Sequence, residues 1–230
     1  MKYNESSLFQ DYKLIVSKLI SKVDILKKIY CWRNSKVSIE FFKLINNLAN
    51  KNMILDKTMI FFSQYVPYIY MSAIVIVFIL GIKQNKCEYR KIAFSTVVIT
   101  VINLILNLII RSVFYVDRPF VHNRVNLLLP HDAASSFPSN HATGTMSIAL
   151  GLGKYNRILG VIMTIVSIIV GFSRVYVGHH YPMDVIGAYI IVFATSYIYN
   201  LKLRSKIGNL YEIVEKKILT ILGLKSVYNE

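Results

Sequence analysis

The sequence predicts an all-α protein, an integral membrane helical bundle of five or six spans with amphipathic helices at both ends. Three observations predict it. The 230 residues are 54% hydrophobic, and the apolar ones come in runs such as 92–110, 158–177 and 183–201, close to the ~20 residues that cross a bilayer. Polar chemistry is concentrated instead of spread: all five histidines lie between 122 and 180, and five of the eight arginines between 111 and 174. Both chain ends alternate lysines with apolar residues at helical spacing and have no long apolar core.

Taken in order, residues 1–36 form a basic amphipathic extension. Tyr12, Ile15, Leu19, Val23, Leu26 and Tyr30 recur along one face, flanked by Lys13, Lys18, Lys22, Lys27 and Lys28. Such a helix lies on an anionic leaflet or docks on the rest of the protein. The stretch reads as neither a signal peptide nor a span, having no apolar core before a small-residue cleavage site. Residues 38–50 are a second short amphipathic piece, and it stays open whether 38–57 crosses the membrane. The run from Thr58 to Ile82 is long enough to cross, with Pro67 bending it. After the basic loop 83–91, residues 92–110 are a clear span ending at Arg111. A polar loop, Ser112 to Pro138, leads to a span from Ser139 to Leu152. The turn GKYNR opens the next span at 158–177, and 183–201 makes the last before KLRSK. Residues 206–224 repeat an amphipathic pattern. The expected division is therefore an extension (1–36), a membrane-embedded domain (37–205) and a C-terminal amphipathic helix (206–230).

The net charge of +15 sits on a membrane protein, so its expected partners are anionic lipids, and no nucleic-acid module is visible. Cys31 and Cys87 have no metal-ligand spacing and imply no disulfide framework. Basic residues load 83–91, 154–157 and 202–206, which fall on one side if the spans alternate. The positive-inside rule puts that side in the cytoplasm. The 112–138 loop and the HHYP turn then meet on the opposite, extracytoplasmic face.

Three motifs meet there. In RSVFYVDRP, Arg111 and Arg118 are seven apart and share a face if the helix runs on, although Pro119 marks a break. Two guanidiniums on one face clamp a phosphate; alone, they read equally as snorkelling arginines at a span end. In SFPSNHA, Ser139 is the expected N-cap of a helix whose free first-turn amides make an anion site, and His141 stands in that turn, placed to hand a proton to a leaving oxygen. In SRVYVGHHYPMD, Pro182 suits the first position of a helix, which places Asp184 in the first turn, within reach of the His180 ring. An Asp-oriented histidine beside Arg174 reads as a nucleophile for phosphorus. His179 points elsewhere and reads as structural. The rival is a metal held by the histidine pair, against which stand three nearby arginines and few acidic ligands.

Arg-x6-Arg-Pro, Pro-Ser-x-His and Ser-Arg-x5-His-x3-Asp, in this order between apolar spans, resemble the three signatures of the type 2 phosphatidic acid phosphatase superfamily. The resemblance implies a phosphohistidine at His180 oriented by Asp184, with His141 as general acid. It implies phosphate binding by Arg111, Arg118, Ser139 and Arg174, no metal and no cofactor. Two positions depart from the pattern: Arg111 stands where Lys is usual, and Asn140 replaces the usual Gly, which keeps the turn's amides but narrows the site. Over residues 40–200, FFKLINNLAN…LDKTMIFFSQYVPY and LLLPHDAASSFPSNHAT are similar to the bacterial undecaprenyl-diphosphatases of the bacitracin-resistance type. That implies a polyprenyl diphosphate substrate, cleaved at the outer face of a bacterial plasma membrane to recycle the cell-wall carrier lipid. Phosphatidate and phosphatidylglycerol phosphate are the alternative substrates. A non-enzymatic binder of lipid diphosphates is the alternative of another class; it would need the arginines but not the two histidines and Asp184. The sequence leaves oligomeric state open.

Overall fold

A computed structural model describes residues 35–221. The expected N-terminal amphipathic helix and Cys31 therefore lie outside the described residues. Every regular element described is a helix: α1 (Lys36–Asn46), α2 (Met53–Gln64), α3 (Val66–Lys83), α4 (Cys87–Val113), α5 (Pro119–His122), α6 (Asn140–Leu152), α7 (Arg157–Tyr176), α8 (Pro182–Lys202) and α9 (Arg204–Ile221). The expected all-helical membrane bundle is what forms.

Four of these helices, α3, α4, α7 and α8, are long and apolar enough to cross a membrane. Their outward faces carry Tyr68, Val75, Ile79, Val101, Leu108, Ile162, Ile165, Phe193 and Ile198, all exposed. The fifth expected crossing is shorter. At 13 residues and ~1.5 Å per residue, α6 spans ~20 Å against a ~30 Å hydrocarbon core. It is also the hub of the bundle, packed against α3, α4, α7 and α8, and it carries the chain from the Asn107 end of α4 back to Thr96. Small residues on α6 permit this: a side chain on Gly151 would meet Thr96 of α4 at 2.5 Å.

The run from Thr58 to Ile82 is not one bent helix. The chain breaks at Tyr65, and Pro67 falls in the first turn of α3, where its missing N–H costs nothing. With 11 and 12 residues, α1 and α2 are each too short to cross. The C-terminal amphipathic helix appears as α9. It docks on α4 through Arg90, whose guanidinium bonds Glu215 at 2.6 and 3.1 Å, through a Lys91–Glu212 ion pair, and through Phe94 against Tyr211.

The bundle interior is polar where α4 faces α6. Asn103 and Asn107 are fully buried. Asn103 donates to Ser147 Oγ at 2.8 Å and accepts from Thr195 at 2.6 Å. Asn107 donates to Thr143 Oγ1 at 2.8 Å and to Asn140 Oδ1 at 3.0 Å. Each group would be costly in hydrocarbon without its partner.

The segment between α4 and α6 is tied down by its own bonds. Ser136 N–H donates to Val116 O at 2.7 Å, and Leu128 N–H to Val177 O at 3.3 Å. Asn46 of α1 clasps its middle, accepting from Asn126 N–H and donating to Asn126 O and Tyr176 O, each at 2.9 Å. A polar loop thus becomes a fixed roof over one end of the bundle.

Candidate active site

The C-terminal ends of α4 and α7 and the N-terminal ends of α6 and α8 meet at that end. Arg111, Ser139, Asn140, His141, Arg174 and Asp184 lie on these ends, and Arg118, His179 and His180 on the adjoining loops.

Arg111 and Arg118 do not share a helix face. Helix α4 stops at Val113, and Arg118 caps α5, because the residue before Pro119 is excluded from helical geometry. They converge by another route. Arg111 bonds Pro138 O at 2.6 Å from the last turn of α4. Arg118, 3% exposed, is held by Ala134 O at 3.0 Å and His179 O at 3.1 Å. Burial, followed by the charge of Arg111, pushes the Arg118 guanidinium down to about 10, so it stays charged at neutral pH.

Arg174 is 3% exposed and uses Nη1 to reach Ser63 Oγ at 2.7 Å. Its Nε and Nη2 are buried with no protein partner, and so is the Ser139 hydroxyl. Ser139 does cap α6, but its side chain makes no capping bond. The amides of Asn140, His141 and Ala142 have no intrahelical acceptor by helix geometry. Buried donors are nearly always satisfied. A cluster of them left open on an arginine and a helix N-terminus is what a tetrahedral oxyanion would complete.

His180 is 1% exposed. Its Nδ1 lies 3.6 Å from Asp184 Oδ2, longer than a hydrogen bond, and a residue that the sequence did not single out stands between them. Ser136 Oγ donates to Asp184 Oδ2 at 2.5 Å and lies 3.3 Å from His180 Nδ1. With that hydroxyl proton committed to the carboxylate, the serine lone pair takes the Nδ1–H. The Nε2 lone pair is then left facing Arg118 Nη1 at 3.3 Å. The same carboxylate oxygen accepts Tyr181 N–H at 2.9 Å, which locks the first turn of α8. Burial, then the charges of Arg118, Arg174 and Arg111, hold His180 well below the usual imidazole range. It is therefore neutral, with one ring nitrogen oriented and the other available, the state a nucleophile requires.

His179 is fixed differently. Its Nε2 bonds Leu129 O at 2.8 Å and its ring stacks edge-on against His131, centroids 4.5 Å apart. Burial, then Arg174, pushes it down to about 3. His141 opens α6 within electrostatic range of Arg174, His131, Arg118 and Arg111. Among the described residues, no three of His, Cys, Asp and Glu converge as a metal-ligand group. Sequence reasoning missed Ser136, Ser63 and Asn107. Each left a trace: Ser136 opens SFPSNHA, and Asn107 and Ser63 are polar residues within apolar runs.

Comparison with known proteins identifies the family. Residues 92–206 match the PAP2 superfamily. The undecaprenyl-diphosphatase BcrC of Bacillus subtilis is 33% identical over 71% of this chain and 82% of its own. An undecaprenyl-diphosphatase of Sulfolobus acidocaldarius is 35% identical over 69% of this chain and 75% of its own. Among solved structures, LpxE of Aquifex aeolicus superposes with a TM-score of 0.62 at 24% identity, covering 72% of this chain and 96% of that one.

Proposed function

The chain belongs to the PAP2 superfamily and is a multi-pass membrane lipid phosphatase, and on that premise we propose that it hydrolyses a polyprenyl diphosphate, undecaprenyl diphosphate foremost, through a phosphohistidine. The observation that carries this reading is the His180–Ser136–Asp184 chain opposite the unpartnered donors of Arg174 and Ser139. One half presents a neutral, oriented imidazole; the other presents donors aimed at phosphate oxygens. The undecaprenyl-diphosphatase relatives support the diphosphate substrate.

The chemistry follows in two steps. Arg111, Arg118, Arg174, Ser139 and the first-turn amides at Asn140 hold the terminal phosphate. His180 Nε2 attacks its phosphorus, the bond from that phosphorus to the bridging oxygen breaks, and His141 gives that oxygen its proton. The products are the lipid monophosphate and a phosphorylated His180. Asp184, acting through Ser136, balances the positive charge that develops on the ring. Water then attacks the phosphohistidine, His141 takes the water's proton, and phosphate leaves with His180 restored. The three arginines neutralise the equatorial oxygens, so no metal is called for.

The reading also places the site on the extracytoplasmic face of a bacterial plasma membrane, where carrier lipid would be recycled. Its support is that the basic segments 83–91, 154–157 and 202–206 lie at the opposite ends of the helices that carry the site. A cysteine placed near His122, in a background without Cys31 and Cys87, should label from outside intact cells, while Cys87 alone should not. The reverse pattern would overturn the orientation.

The decisive experiment is phosphate release by purified protein from a panel comprising undecaprenyl diphosphate, phosphatidate and phosphatidylglycerol phosphate, with and without chelator. We expect preference for the diphosphate, undiminished by chelator, and no covalent phosphate or turnover in His180→Ala. Preference for either monoester would change the substrate. Loss with chelator and recovery with magnesium would sink the mechanism.

A further inference from the structure

Glycine is among the poorest residues for a helix interior, so each helical glycine wants a reason. Most in this bundle have one. A side chain at Gly151 would strike Thr96, and one at Gly81 would meet Arg90 at 2.7 Å. Gly144, one turn beyond His141 in the middle of α6, is different: a side chain there would meet nothing within 4 Å. The missing side chain serves a space that the protein itself leaves open.

That space is a groove of about 280 Å³ between α3, α4 and α6, bounded by Pro67, Met71, Leu104, Gly144 and Ile148, with His141 at its head. Two threonines also line it, but their hydroxyls are already spent. Thr100 donates to Thr96 O at 2.7 Å, and Thr145 bonds His141 O and Ser167 Oγ, each at 2.8 Å. Beyond the Asn140–His141 end, the walls therefore ask for no polar partner. Met71, at its edge, is 50% exposed on a face that meets lipid.

Resting on the proposed lipid diphosphatase reading, we infer that this groove seats the isoprenoid chain of the leaving group, with Gly144 as its floor. The proton donor His141 must sit beside the bridging oxygen, and the chain attached to the leaving phosphate must run away from it. The groove is an apolar path that starts at His141 and opens toward hydrocarbon. From His141 to Ile148 it follows seven residues of α6, ~10 Å of contact. The first isoprene units would be gripped by protein there, and the rest of the chain would lie in the bilayer.

The test compares full-length wild type with Gly144→Trp, Gly144→Leu and Leu104→Trp, each in detergent, on undecaprenyl diphosphate and on isopentenyl diphosphate. The two substrates share the reacting bonds and differ in chain length. Both new residues at position 144 are better helix formers than glycine. We expect the ratio of kcat/KM for the long substrate to that for the short one to fall at least about tenfold in both tryptophan variants, through KM. The leucine variant should fall between them and wild type. A ratio that stays at the wild-type level overturns the inference and makes the groove a seat for a bilayer acyl chain. Equal loss on both substrates in all three variants also overturns it, since chain length would then not matter. Failure of the underlying reading shows separately, as wild type that spares undecaprenyl diphosphate.

Discussion

Ser136→Ala isolates one atom of the site. Its hydroxyl is buried, and it joins the Asp184 carboxylate to His180 Nδ1, at 2.5 and 3.3 Å. Without it, Asp184 Oδ2 keeps the Tyr181 N–H but stands 3.6 Å from the imidazole. A hydrogen bond to an ionised group contributes ~1.5–3 kcal/mol, and ~1.4 kcal/mol is tenfold in rate. If the whole bond serves to hold the tautomer and to balance the charge that grows on His180, kcat should fall ~10- to 100-fold. KM should change little, because the hydroxyl meets Nδ1 of the ring, not the Nε2 that would face the phosphate. Steady-state kinetics on a lipid diphosphate reads both numbers. Asp184→Asn should lose as much or more, and the double variant should lose less than the sum of the two, since they cut one chain. A Ser136→Ala enzyme with wild-type kcat, or additive losses in the pair, would refute a relay through Ser136.

Two further outcomes follow from the same geometry. Arg174→Lys keeps a charge, but its three N–H groups radiate from one nitrogen and cannot reproduce donors spread over Nη1, Nε and Nη2 of a planar fork, so kcat/KM should drop at least about tenfold; wild-type activity would show that charge alone suffices. His179 and His180 are held below the ordinary imidazole pKa, whereas the unfolded chain takes up protons near ~6.5. Their contribution to stability is therefore present above ~6.5 and is lost as pH falls, at ~1.4 kcal/mol per pH unit for each proton. The unfolding temperature should drop between about pH 7.5 and about pH 5.5, and a flat profile would count against neutral buried rings.

Much of this was legible in the residues. The apolar runs located four crossing helices, and the three polar motifs marked the ends that converge. What failed to show was whatever depended on two distant segments meeting. Pro119 announced a break before which Arg118 could no longer share the face of Arg111, but not that the loop after Val113 folds back to deliver the second guanidinium. Composition suggested a lipid-facing span over residues 139–152, yet α6 is a shorter helix that earns its burial from four neighbours. Asp184 was visible as the partner of His180. The hydroxyl between them comes from a serine 44 positions earlier; it opens SFPSNHA, but nothing local announced that it would meet His180. Asn46 resembled any polar residue of an amphipathic helix until Asn126 came to lie against it.

The buried asparagines of α4 have one more consequence. Asn103 meets Ser147, and Asn107, four residues on, meets Thr143, four residues back. The next rung pairs Arg111 with the Pro138–Ser139 entry to α6. In lipid, greasy surfaces slide past each other at little cost, and polar contacts decide where two helices stop. The ladder therefore acts as a vernier: it sets the axial register of α4 on α6, and with it the distance between one arm of the phosphate clamp and the amides it faces. A change at Asn103, far from any phosphate, would slip that setting before it loosened the bundle.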